Sequence, residues 1–164
     1  MRYALPLLLL LATGCDTVSD AADEAACQAS GYADEGTVSA SVSGDAFSGT
    51  CVRVDVQQGA LSIVGADNVV SNNNQEVITL TFPSTEIRAY EIDDPVGTQL
   101  AAASFTARTE NPDDQADEAY LATRGTLSLD AYSETAASGT FSFTARTING
   151  AEVVVSSGTF AVTF

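Results

Sequence analysis

From Gly36 onward the chain alternates apolar and polar side chains with a period of two, the pattern of strands that bury one face. Thr37-Val-Ser-Ala-Ser-Val42 alternates throughout, and Val52, Val54 and Val56 point one way while Arg53 and Asp55 point the other. Leu61 and Ile63 continue the pattern, followed by Ile78, Leu80 and Phe82. Strands are also predicted from Ile87 to Ile92 and from Leu100 to Ala107, although Ala101, Ala103 and Ala107 blur which face of the second is buried. Leu127 with Leu129, Phe141 with Phe143, and Phe160 with Val162 and Phe164 complete the apolar face.

Turn chemistry divides the same runs. Ser43-Gly-Asp45, Asn149-Gly150 and the segment Ser133 to Ser138 fall between alternating stretches, and Asn149-Gly150 is the strongest hairpin signal. Three Gly-Thr pairs introduce similar runs, at Gly125, Gly139 and Gly158, and read as strand entries. Short connections imply an antiparallel meander. No amphipathic helix is long enough to cover a sheet, so the sheet must close on itself or fold into two layers. The predicted fold is therefore all-β, a meander of about nine to ten strands forming a sandwich or a closed or partly open barrel.

The front of the chain follows a different rule. Met1-Arg2 supplies one positive charge, and Leu5 to Ala12 is apolar apart from the break at Pro6, too short for a bilayer span. It reads as a cleaved signal. The run ends in Leu11-Ala12-Thr13-Gly14-Cys15, which resembles the lipobox of bacterial lipoproteins, with Ala12 where leucine is more usual. That resemblance implies cleavage before Cys15 and diacylation of its sulfur, with acylation of the new amino group as well. Two or three acyl chains would hold the protein on a membrane outside the cytoplasm, because each buried CH₂ contributes about 0.8 kcal/mol. The outer membrane or cell surface is favoured. Asp16 would resemble an inner-membrane retention signal in enteric bacteria, so the choice of membrane stays open.

With Cys15 assigned to lipid, Cys27 and Cys51 remain as one pair in an oxidising setting, and a disulfide between them is the natural reading. Free thiols are the alternative, and a metal pair has no histidine to complete it. The expected division is a signal peptide over residues 1–14, an acidic tether over 15–35 and a β-domain over 36–164. The tether is rich in Ala, Asp and Ser, with Ser19 placed to cap a helix of at most about two turns over Asp20 to Ala29.

Charge narrows the functional classes. Acids outnumber bases 22 to 6, and lysine, histidine and tryptophan are absent. With the leader and its Arg2 removed, 22 acids face 5 arginines, a formal charge of −17. Such a surface repels phosphate backbones and excludes nucleic acid as a partner. The acids are spread over nearly every connection, as on a halophile's surface. Their densest stretch, Asn111 to Glu118, lacks the alternating carboxylate spacing of a calcium loop, so no metal or other cofactor is expected.

Ser41-Val-Ser-Gly-Asp-Ala-Phe47 near the start, and Ser138-Gly-Thr-Phe-Ser-Phe-Thr-Ala145, Val153-Val-Val155 and Ser157-Gly-Thr-Phe160 at the end, resemble a family of small β-rich bacterial lipoproteins of unknown function. The resemblance implies a β-rich domain and no catalytic residues. Independently of it, the absence of histidine and lysine removes the usual general bases and the Ser-His and Ser-Lys nucleophile systems, so no enzyme is expected. The reading is a lipid-anchored structural or protein-interaction module of the cell envelope, with envelope proteins as partners. The alternative is a lipocalin-like barrel holding a small apolar ligand of unknown identity.

Overall fold

The computed structural model describes residues 17–67, 69, 75–92, 101–107 and 118–164. Among the described residues one helix, α1 (Thr17–Ala29), precedes ten strands. These are β1 (Glu35–Val42), β2 (Asp45–Gly49), β3 (Cys51–Gln57), β4 (Ala60–Asp67), β5 (Glu76–Phe82), β6 (Ala89–Ile92), β7 (Ala102–Ala107), β8 (Glu118–Tyr132), β9 (Ala136–Arg146) and β10 (Glu152–Thr163). They form one antiparallel sheet in the order β2-β1-β10-β9-β8-β7-β5-β4-β3. Only β6 leaves the meander: β7 pairs with Glu118 to Leu121 at the start of β8, and β6 pairs with Gly125 to Ser128 further along it.

The two ends of that order are neighbours in the chain, β2 and β3, separated by Thr50 alone. β1 lies against β2 from Val38 to Val42, and an isolated bridge then joins Asp34 to Val52 of β3. The bent β2–β3 segment is thus shared by β1 on one side and β4 on the other, and the sheet nearly closes into a barrel. At the seam the Asp34 amide donates to the Val52 carbonyl (3.2 Å), and the Val54 amide donates to Asp34 Oδ2 (2.6 Å). A carboxylate there stands where a ladder carbonyl would otherwise accept.

Alternation places the large apolar side chains inside. Ile78, Leu80 and Phe82 of β5, Leu127 and Leu129 of β8, Phe141 and Phe143 of β9, and Val155, Phe160 and Val162 of β10 share one core with Val38, Leu61 and Ile63. Burying each such side chain contributes about 1.5–3 kcal/mol. The Phe82 ring sits at the centre, 5.7 Å from the rings of both Tyr90 and Phe160. Ala101 and Ala103, ambiguous in sequence, belong to this core.

Turns follow their residues. Ser43 (φ 51°) and Gly44 (φ 102°) form the two-residue β1–β2 loop, with positive φ at both positions as a type I′ hairpin requires. At the predicted Asn149-Gly150 hairpin the Gly150 amide donates to the Thr147 carbonyl (3.0 Å) and the Thr147 amide to the Ala151 carbonyl (2.9 Å), a three-residue loop between β9 and β10.

Four expectations are revised. The helix runs 13 residues from Thr17, well beyond two turns. The Ile87–Ile92 strand shrinks to Ala89–Ile92, with Ile87 exposed in the preceding bend. Asp45–Gly49, read only as the end of a turn and the opening of a motif, is a strand. The Gly-Thr pairs do not open strands: Gly125, Gly139 and Gly158 lie inside β8, β9 and β10. There they face aromatic residues across the ladder, Gly125 opposite Phe143, Gly139 opposite Phe160 and Gly158 opposite Phe141. Gly139 and Gly158 each give the opposite ring room to lie flat on the strand, and bulges beside these positions increase the coiling that closure needs.

Candidate functional site

Two regions at opposite ends of β1 and β10 carry the chemistry left after the core is accounted for. The first is the base, where Glu35 of β1 pairs with Thr163 of β10. Here α1 ends in a Schellman motif, with the Gly31 amide donating to the Gln28 carbonyl (3.0 Å) and the Tyr32 amide to the Cys27 carbonyl (2.9 Å). Gly31 takes the left-handed conformation, φ 85°, that this stop requires. The chain then reverses into Asp34 and β1.

Cys27, in the last turn of α1, is joined by a disulfide to Cys51, the first residue of β3, with Cα atoms 5.2 Å apart. The bridge fastens the helix beside the Asp34–Val52 seam. A cleft of about 490 Å³ opens between them, lined by Asp23, Glu24, Tyr32, Asp34 and Glu35 among others. Four carboxylates face this cleft, yet among the described residues no group of three or more histidine, cysteine, aspartate or glutamate side chains is arranged to hold a metal ion. One of the four, Asp34, is engaged by the Val54 amide.

The second region is the outer face of β8, β9 and β10 towards the β9–β10 hairpin. Register places Leu121 beside Arg146 and Arg146 beside Glu152 in one row, and Arg124 beside Thr144 and Thr144 beside Val154 in the next. A bulge between Ala122 and Arg124 keeps Leu121 and Arg124 on the same face. Arg124 Nε donates to Thr144 Oγ1 (3.3 Å), and the guanidinium covers that otherwise outward hydroxyl. Arg146 pairs with Glu152 at 2.7 Å. Glu91 stands at the margin, its carboxylate accepting from Thr126 Oγ1 (3.1 Å).

Two acidic positions are electrostatically distinctive. Burial, together with the negative charges of Asp67 and Asp45, pushes the Glu76 carboxyl above its ordinary range. At the start of β8, Tyr120 donates its hydroxyl to Glu118, and this bond raises the phenol's pKa by holding its proton.

Of the sequence-predicted site residues, Cys27 and Cys51 are brought together, whereas Cys15 lies outside the described residues. The acid-rich stretch from Asn111 lies outside them too, except for Glu118. Sequence reading passed over Arg124. Its lack of a carboxylate partner depends on sheet register, and the one available signal was the scarcity of bases among so many acids.

No curated protein matches the chain, and no solved structure does. A family model described as Domain of unknown function (DUF6252) matches residues 34–162, and the chain belongs to that family. The match begins at Asp34, the residue that forms the barrel seam.

Proposed function

We propose, with membership of a family of unknown function as the premise, that this protein is an exported lipoprotein whose β-barrel works by protein contacts in the cell envelope. Its anchor is Cys15, lipidated after removal of residues 1–14, and it sits in the cell envelope on a membrane outside the cytoplasm. The observation that carries the reading is the Cys27–Cys51 disulfide. A disulfide of this kind belongs to an oxidising compartment, and this one ties the segment following the anchor directly to the barrel. The packed centre around Phe82 favours a contact module over a container for a small apolar ligand.

The test is metabolic labelling with a radioactive fatty acid in a bacterial host, followed by detergent phase partition of the full chain and of Cys15→Ser. The native chain should be shortened, labelled and detergent-partitioning, and the variant should be none of these. A variant that is still processed and still partitions into detergent would refute the anchor.

A further inference from the structure

The outer face around Arg124 has a chemistry unlike the rest of the surface. Of the four arginines among the described residues, Arg88 pairs with Glu86 at 3.5 Å and stacks over Tyr90, and Arg146 holds Glu152. Arg53 shares its face of β3 with Asp55. Arg124 has no ion-pair partner among the described residues, in a chain whose acids outnumber its bases 22 to 6. Its Nε is occupied by Thr144, which fixes the plane of the guanidinium and leaves the Nη pair facing solvent.

The surroundings are apolar and hydroxylic apart from Glu91 at the margin and Glu152, which Arg146 holds. Leu121 is 66% exposed and Val154 47% exposed, flanking Arg124 by register, while Ile148 is fully exposed at the hairpin tip. Three of the five exposed large apolar side chains among the described residues thus gather at this end of three adjacent strands. Beside Val154 runs a shallow groove of about 300 Å³, lined by Arg124, Thr126, Ser142, Thr144 and Ser156 with Glu91 at its margin. Here an oriented cation is set among aliphatic side chains, the composition of an interface centre.

We propose that this face docks a partner protein through a segment presenting a carboxylate beside aliphatic side chains. The carboxylate pairs with the free fork of Arg124, and the aliphatic groups cover Leu121 and Val154. Charge complementarity selects the occupant, because the Arg124 guanidinium has no ion-pair partner among the described residues and an incoming carboxylate supplies one. The assignment deepens the contact-module reading and rests on it for biological meaning, because this end of β10 lies away from the helix that follows the anchor.

The experiment uses the full chain, detergent-solubilised, and is independent of lipidation, so its failure does not touch the anchor. Three fluorescent decapeptides serve as probes: alternating aspartate and leucine, alternating asparagine and leucine, and alternating lysine and leucine. The aspartate peptide should bind best at moderate salt, with amide shifts confined to Leu121, Arg124, Thr144, Val154 and their neighbours. Arg124→Gln should weaken it about tenfold, as loss of a charge-assisted bidentate pair would, and should leave lysine-peptide binding unchanged. Leu121→Ser, at an exposed position where folding is not at risk, should also weaken it several-fold. Equal binding of the aspartate and asparagine peptides, indifference to Arg124→Gln, shifts elsewhere, or no binding of the aspartate peptide would each overturn the proposal.

Discussion

Gly139 and Phe160 stand directly opposite one another on β9 and β10, and the phenyl ring lies so close over the glycine that an added Cβ would come within 2.7 Å of Cζ. The same added atom would also collide with the Ser128 carbonyl oxygen on the other side of β9. Gly158 and Phe141 repeat the arrangement with the strands exchanged. Each ring is thereby laid along the inner wall, where a side chain opposite would push it into the core.

Replacing Gly139 with alanine should therefore strain both the β8–β9 ladder and the Phe160 ring, lowering stability by about 1–3 kcal/mol as overpacked cores do. Gly59→Ala is the control, because its left-handed turn (φ 85°) is strained by a side chain but has open space around it. That variant should lose only about 1 kcal/mol. Urea unfolding midpoints of the two variants decide the matter, and equal losses would show that the ring contact is unimportant.

The disulfide makes a separate prediction. It spans 24 residues of sequence, so removing it with Cys27→Ser and Cys51→Ser should reduce stability by about 3 kcal/mol through the freed chain entropy of the unfolded state. The loss should be local in its native-state signature. Hydrogen exchange in α1 should accelerate sharply while the β8–β9–β10 core keeps its protection, and uniform acceleration across the barrel would contradict this picture.

Glu76 predicts a pH dependence. Its folded pKa lies above the ordinary 4.5 because burial and the charges of Asp67 and Asp45 disfavour ionisation. The folded state thus holds this proton more tightly than the unfolded chain does, and the contribution to stability is most favourable below pH 4.5. It declines as pH rises through the folded value. Glu76→Gln should accordingly melt higher than the native chain at neutral pH, and the difference should vanish on acidification below pH 4.5. Added salt should narrow the neutral-pH gap by screening the two aspartates, leaving the burial part. A variant less stable than the native chain at pH 7 would reverse the sign and refute the assignment.

Much of the barrel was legible in the chain because half-buried strands announce themselves locally. Val52 and Val54, Ile78 to Phe82, and Phe141 with Phe143 alternate regardless of what they pair with, and all fall in strands. Asp45–Gly49 was hidden because only Phe47 and Gly49 turn inward in a five-residue strand that begins at a turn. The glycines were misplaced for a different reason. Gly-Thr looks like the edge of a strand in one dimension, and only the register of a neighbour shows that Gly139 sits beneath Phe160. The length of α1 escaped notice because its last turn is held by a covalent bond to β3 as well as by its own propensity. Of the candidate site, the cysteine pair could be found by counting. The Arg124 face could not, since a bulge in β8 decides which side chains accompany it.

The convergence of Cys27, Cys51 and Asp34 on one corner also sets how the fold bears a load. Tension arriving along the amino-terminal segment enters the barrel through a sulfur–sulfur bond into β3, with β1 lying beyond it in the chain. The first strand is spared from being unzipped from β10 one hydrogen bond at a time. The load falls instead on β3, which is held to β4 by a ladder running from Cys51 opposite Ala66 to Gln57 opposite Ala60.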